Sequence, residues 1–433
     1  MNFLKENIFF WDKLNVLKKK EILLRPEFFK KNILKENIKK VIYDVKKNGD
    51  KALYFYTKKF DKKKIKSFFV SKKIIKNSFL QVHKDIKKSV LIASKNIEYF
   101  HLSQSMNSID VITDIGIRCQ QLIKPINKVG LYIPGGSSPL LSTVLMLSIP
   151  AYLAKCKKIV LCSPPPISNE LLYVASYICG VDNIFQIGGS QAIAAMAFGT
   201  ESIPKVDKIF GPGNLYVTEA KKQVNKSFNF TDIDMLAGPS EVVVIADKQS
   251  NPDFVASDLL SQAEHGKDSQ VLLLTNSKIL VDLVLLSIKK QLNKLSRKEI
   301  IKKSLKNSYF IITKNIEDCL KISNIYAPEH LIIQCKKARS LLSKIVNAGS
   351  VFLGPWSPES VGDYASGINH VLPTYGNVKT FSGLSLVDFQ KRIMVQELTK
   401  NGLKKISSTI KILSTFEKLD AHYKAVSIRL NSI

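Results

Sequence analysis

The sequence predicts an α/β fold built on parallel sheets, in more than one unit. From Val111 onward, short apolar runs alternate with helix-length segments whose apolar period is near 3.6. Three of those short runs end in glycine clusters, as tight turns from a strand into a helix do. The chain has 433 residues, of which 45% are hydrophobic, enough for two or three domains with buried cores.

Taken in order, residues 1 to about 25 carry Phe3, Leu4, Ile8, Phe9, Phe10, Trp11, Leu14 and Leu17. A segment this short cannot bury them alone, so it must dock on the main body or on a partner subunit. Residues 26 to about 100 read as helical at Val41–Lys47, Ala52–Lys59 and Asp85–Phe100, with a turn at Asn48-Gly49-Asp50. His83 and His101 lack chemical neighbours there and read as surface or packing residues. Strands are expected at Gly130–Ile133, Ile159–Cys162, Asn183–Ile187, Lys208–Phe210, Val242–Ala246, Val271–Thr275 and Tyr309–Ile312. Helices are expected at Leu141–Ala154, Asn169–Cys179, Gln191–Gly199, Leu215–Val224, Pro252–His265, Ile279–Leu295 and Ile316–Ile325. This alternation calls for parallel strands with helices on both faces, and the polar stretch Asn225–Ile233 is the natural break between two such units. Residues 354–383, rich in Gly, Ser, Pro, Tyr and Asn, suit an ordered loop at a site. Helices are expected again at Gln390–Lys400 and Ile406–Leu419. This small end segment can act as an arm reaching a partner subunit.

The net charge of +29 invites a nucleic-acid reading, but the basic residues are nearly all lysine and are spread along the chain. Arginine is the preferred residue for bidentate recognition of bases and phosphates, and no nucleic-acid motif accompanies the lysines. No specific nucleic-acid partner is therefore expected. The longest apolar stretch, Val144–Ala154, is too short to span a bilayer. No signal-peptide core is visible at the N-terminus, so a soluble, cytoplasmic protein without membrane attachment is expected. The six cysteines form no CxxC pair, which argues against a thiolate zinc site or a redox pair.

Several polar clusters can carry chemistry. In Asp258-Leu-Leu-Ser-Gln-Ala-Glu-His-Gly266, Gln262 and His265 fall three residues apart on one helical face. They are either two arms of a metal site or a polar cap on an ordinary helix. The glycine clusters after Ile133, Ile187 and Phe210 let backbone N–H groups approach a phosphate, or simply make tight turns; none is a complete G-x-G-x-x-G. Tyr132, Gln191 and Asn214 lie at these turns, where they can meet a nicotinamide or ribose. Ser240 precedes a strand rather than a helix, so it fits a hydrogen-bonding role better than a nucleophilic one. In Tyr326-Ala-Pro-Glu-His330, Glu329 and His330 are an acid/base pair or the polar residues of a surface turn. Asp363 and His370 sit among small residues, and Glu417 and His422 lie near the C-terminus. Gln262, His265, Asp363 and His422 make an N/O donor set suited to Zn²⁺, although no spacing rule brings them together.

Six segments together resemble one family. Gly130-Leu-Tyr-Ile-Pro-Gly-Gly136, Lys208-Ile-Phe-Gly-Pro-Gly-Asn214, Ala237-Gly-Pro-Ser-Glu-Val242, Leu259-Leu-Ser-Gln-Ala-Glu-His-Gly266, Pro328-Glu-His330 and Gly362-Asp-Tyr-Ala-Ser-Gly-Ile-Asn-His370 closely resemble histidinol dehydrogenase, in order and over nearly the whole chain. The resemblance implies a zinc-dependent, NAD⁺-linked, four-electron oxidation of L-histidinol to L-histidine through the aldehyde, in histidine biosynthesis. It implies one Zn²⁺ per subunit on Gln262, His265, Asp363 and His422, and an acid/base pair in Glu329 and His330. It implies substrate contacts from Ser240, His370 and Glu417, besides His330 and the metal ligands, and NAD⁺ contacts from Tyr132, Gln191 and Asn214. It further implies a homodimer of two incomplete Rossmann-like domains whose extended ends intertwine and share active sites. The corresponding division is an N-terminal dimerisation arm (1–24), a discontinuous first domain (25–131 and 239–383), a second, NAD-binding domain (132–238) and a C-terminal helical arm (384–433). Leu236 departs from the proline expected before the Ala-Gly-Pro-Ser turn, which would loosen entry to that turn.

Overall fold

The computed structural model describes residues 6–25, 31–135, 140–226, 231–235 and 238–432. Phe3, Leu4, Gly136, Leu236 and Ala237 lie outside the described residues, and with them the expectation about Leu236.

Two wholly parallel sheets form the body. The first has six strands in the order Ile8–Phe10, Tyr309–Ile312, Gln270–Thr275, Glu241–Ala246, His330–Ile333 and Ser350–Leu353. Its central strands, Glu241-Val-Val-Val-Ile-Ala246 and Gln270–Thr275, are buried at every position. Such continuous apolar runs are what a parallel strand covered on both faces requires. Val242 and Val244 pack with Leu259 and Val281 of helices Pro252–Ala263 and Lys278–Leu292. Val243 and Ile245 point the other way, onto Leu320 of helix Ile316–Tyr326 and Ile22. The second sheet has five strands in the order Asn183–Gln186, Lys158–Ser163, Lys128–Tyr132, Lys208–Phe210 and Asp232–Ile233. One face meets helix Leu141–Leu153; the other meets helices Lys31–Tyr56, Gly189–Phe198 and Leu215–Lys226.

Every strand expected from the sequence is present, with ends shifted by no more than two residues. The turn expected at Asn48-Gly49-Asp50 is a sharp kink at Gly49 (φ 50°, ψ −131°) within helix Lys31–Tyr56. The helix expected at Gln390–Lys400 is a correction. Gln390–Leu398 is a strand, antiparallel to Ile117–Pro125 over nine positions, and Ile109–Asp114 completes a separate three-stranded sheet. β-branched Ile393 and Val395 suit that ladder. The helix starts only at Lys400, where Thr399 Oγ1 caps it by accepting from Gly402 N–H at 3.1 Å. The C-terminal arm is therefore a strand followed by two helices, Lys400–Phe416 and Asp420–Asn431.

The N-terminal segment docks on its own chain. Ile8–Phe10 adds an edge strand beside Tyr309–Ile312, and Ile22 is buried under the six-stranded sheet. Arg25 then clamps Glu241 through two bonds of 2.9 Å and lies 3.7 Å above the Tyr326 ring. His101 is a packing residue, fully buried against the Asn369 amide at 3.0 Å. Among the described residues, no helix is long and apolar enough to cross a membrane.

One buried ion pair shapes the turn after Phe210. Gly211 has φ +119°, and a Cβ there would sit 2.2 Å from the Tyr132 carbonyl, so only glycine fits. Asp234 accepts from Gly211 N–H at 2.7 Å, and Lys221 Nζ donates to both Asp234 and the Gly211 carbonyl, the latter at 2.8 Å. Both side chains are almost fully buried. Lys221→Met should strand the Asp234 charge and cost about 3–5 kcal/mol in urea unfolding. An unchanged urea midpoint would show that the pair does not support this turn.

Candidate active site

The C-terminal ends of the five-stranded sheet face the N-terminal ends of the six-stranded one. Pro134, Pro212, Gly213, Asn214 and Tyr216, which follow strands, meet Gly238, Pro239, Ser240, Glu329 and His330, which precede or begin them, around a cavity of roughly 490 Å³. A larger cavity of roughly 1030 Å³ lies beside it and shares Pro134, Asn214 and Tyr216. It lies over the C-terminal ends of Lys128–Tyr132, Lys158–Ser163 and Asn183–Gln186 and reaches Asn214 after Lys208–Phe210, across the point where the strand order reverses and where such sheets hold nucleotides.

His330 opens its strand and is buried with Glu329, so this pair is not a surface turn. His330 Nδ1–H donates to the Glu241 carbonyl at 3.3 Å, which leaves the Nε2 lone pair without a hydrogen-bond partner, 3.9 Å from Asp363 Oδ1. Burial lowers the His330 pKa to about 3, so the ring is neutral and its Nε2 lone pair is unprotonated. Glu329 Oε2 accepts from Glu241 N–H at 3.0 Å. Burial, reinforced by the neighbouring Glu241 and Asp363 carboxylates, raises its pKa well above the ordinary range.

Helix Pro252–Ala263 is capped by Asn251 and opens on Pro252. It ends two residues before the expected limit, with Gln262 in its last turn and His265 just beyond, at the helix end that favours a cation. Asp363 comes from helix Glu359–Tyr364, 4.0 Å from His265 Nε2. His265, Asp363 and Glu359 each offer a ligand atom, all within 4.8 Å of one another. Burial raises the Asp363 pKa to about 6 and drives Glu359 well above its usual range. The described residues lining this pocket include no lysine or arginine, so a divalent cation fits as the missing countercharge. His370 Nδ1–H donates to the Asp363 carbonyl at 2.8 Å, and its Nε2 faces Thr143 Oγ1 at 3.3 Å. Ser240 lines the same pocket.

Tyr132, Gln191 and Asn214 all line the larger cavity. The Tyr132 hydroxyl accepts from Gly189 N–H at 3.0 Å, and Asn214 Oδ1 caps the next helix at Tyr216 and Val217 N–H. Gln191 is fully buried with an unpaired Oε1, its amide nitrogen 3.5 Å from Asp61.

Within one chain the structure does not bring Glu417 and His422 to this pocket; both are exposed on the C-terminal helices. The sequence reading missed Glu359 and Asp61. Glu359 had a signal: it lies four residues before Asp363, on the same helical face. No cysteine is among the described residues lining either cavity. Burial pushes Cys156, Cys179, Cys319 and Cys335 up to about 12 and Cys162 higher, away from thiolate chemistry.

A family model described as histidinol dehydrogenase matches residues 25–430. The chain belongs to the histidinol dehydrogenase family. It is 59% identical over 426 residues to the histidinol dehydrogenase of Buchnera aphidicola subsp. Acyrthosiphon pisum, covering 98% of each chain. It is 52% identical over 423 residues to that of Escherichia coli K12, covering 98% of this chain and 97% of the relative. The crystal structure of histidinol dehydrogenase from Elizabethkingia anophelis superposes with a TM-score of 0.94 at 46% identity, covering 98% of both chains. An acetylating aldehyde dehydrogenase from Geobacillus thermoglucosidasius (TM-score 0.50, 11% identity, 92% and 96% covered) shares the fold alone. As a histidinol dehydrogenase the chain is an oxidoreductase, and the α/β architecture with parallel sheets is that of its family.

Proposed function

We propose that this chain oxidises L-histidinol to L-histidine through histidinaldehyde, using two NAD⁺ in succession and one Zn²⁺ per subunit, as the last step of histidine biosynthesis in the cytoplasm. The observation that carries the reading is a neutral His330 with a free Nε2, in a pocket that opens on a nucleotide-sized cavity through shared walls.

Gln262, His265 and Asp363 would hold the zinc, with His422 from a partner subunit. The metal would supply a Lewis acid that orients the imidazole and amine of the substrate, and NAD⁺, which Tyr132, Gln191 and Asn214 would hold, would supply the hydride acceptor. His330 Nε2 takes the hydroxyl proton of the alcohol. Glu329 takes a proton from the water that hydrates the aldehyde, and His330 serves again for the hydrate. Ser240, His370 and the partner's Glu417 hold the substrate's polar groups.

The homodimer reading rests on apolar surface that one chain leaves uncovered. Ile112 is 74% exposed, Met394 71% and Phe416 85%, all on the three-stranded sheet and C-terminal helices, while Val16 and Leu17 protrude from the N-terminal segment. Under this proposal residues 384–433 are the arm that reaches the partner's site. Residues 1–24 contribute to the same interface, and 132–238 form the NAD-binding domain beside a domain made of 25–131 and 239–383.

Counting NADH formed per L-histidinol consumed tests the reaction. Two NADH per substrate are expected, lost on stripping the metal and restored by zinc. One NADH, or full activity after verified metal removal, would reduce the chain to a simpler dehydrogenase.

A further inference from the structure

Glu359 takes no part in the proton transfers of the proposed reaction, yet it is built into the centre of the site. Its side chain is 2% exposed, and its carboxylate lies 3.6 Å from His330 Nδ1. Gln262, itself fully buried, faces it directly. Only one orientation of the Gln262 carboxamide suits its neighbours. In it, the amide nitrogen faces both Glu359 oxygens, Oε2 at 3.3 Å, and the amide oxygen accepts from Glu241 N–H at 2.9 Å, sharing that donor with Glu329 Oε2. The reverse orientation sets oxygen against carboxylate oxygen and N–H against N–H.

We infer that Glu359 is a positioning residue that makes Gln262 a metal donor. A carboxamide can turn either end toward a cation, and only its oxygen binds one. By taking an N–H of the carboxamide, the carboxylate holds the nitrogen end to itself and turns the oxygen the other way, with one lone pair on Glu241 N–H and one to spare. Donation from the amide nitrogen to a carboxylate also shifts electron density onto that oxygen and strengthens a weak neutral donor, as an outer carboxylate does for a ligating histidine. Glu359 and Asp363, four residues apart on one short helix, thus serve the site in two ways: Asp363 as a ligand and Glu359 through Gln262.

This inference rests on the zinc reading above, and the test separates the two. Zinc affinity is measured on the metal-stripped full-length protein by competition with a chromogenic chelator, without substrate or NAD⁺. If the wild type binds no zinc, the metal reading itself fails and the inference with it. If it does bind, Glu359→Ala should weaken zinc by about 10- to 100-fold. Glu359→Gln, which keeps an acceptor oxygen, should retain most of the affinity. Glu359→Asp keeps the charge but withdraws the acceptor by one methylene, so it should lose affinity as the alanine variant does. It reads the same effect if Glu359→Ala does not fold. In a Gln262→Ala background, removing Glu359 should change nothing further. Wild-type affinity in Glu359→Ala and Glu359→Asp would overturn the inference. So would a loss that adds in full to that of Gln262→Ala, since Glu359 would then be a ligand in its own right.

Discussion

His330→Asn is expected to lower kcat by about 10²- to 10⁴-fold while zinc content stays at the wild-type level. The ring is held by one hydrogen bond, from Nδ1–H to the Glu241 carbonyl, and that bond fixes the tautomer. Asparagine can keep that donation through its amide N–H, but it has no basic nitrogen to present to the substrate. Because burial holds the histidine pKa near 3, the wild-type ring is already neutral at physiological pH and loses no catalytic fraction to protonation. The check is steady-state kinetics with L-histidinol and, separately, with histidinaldehyde. Both half-reactions should slow, since the same nitrogen takes a proton in each. A variant within threefold of wild type in kcat would remove His330 from the base role and leave Glu329 as the remaining candidate.

Mixing two inactive chains should restore activity. Under the shared-site proposal, His265→Ala removes a donor that lines the pocket, and His422→Ala removes one that the exposed C-terminal helix of the other subunit would supply. In a heterodimer, one site inherits both defects and the other inherits neither. Random reassortment of equal amounts should therefore recover about a quarter of wild-type specific activity, half the dimers being mixed and half their sites intact. The measurement is activity after unfolding and refolding the mixture, against each variant refolded alone. Zinc bound per dimer should follow the same proportion. No recovery, with heterodimers verified by mass, would mean that the site closes within one chain and that the arm's apolar face serves another purpose. The structure favours recovery, because His422 lies outside the pocket and the helix that carries it buries no residue against its own chain.

The chemistry-bearing segments were legible because their constraints are local. A strand buried on both faces is nearly continuously apolar, so Val242–Ala246 and Val271–Thr275 announce themselves. A left-handed turn pressed against a carbonyl must be glycine, so Gly211 marks the edge of the crevice. Gln390–Leu398 was not legible as a strand. It has little burial pattern of its own, and its ladder with Ile117–Pro125 is a pairing across more than two hundred residues. His330–Ile333 and Ser350–Leu353 are four-residue runs: the first becomes a strand only beside Glu241–Ala246, and the second only beside the first.

By itself the sequence determined the fold class, because apolar periodicity and turn chemistry act over a few neighbouring residues, and its motif segments carried the family resemblance and the residue types available for catalysis. Only the tertiary structure decided which groups meet and in what state. The burial that holds His330 neutral, the amide orientation that links Gln262 to Glu359, and the distance that keeps His422 from its own pocket all arise from elements far apart in the chain. Desolvation and hydrogen-bond partners are properties of the packed molecule, and no local pattern encodes them.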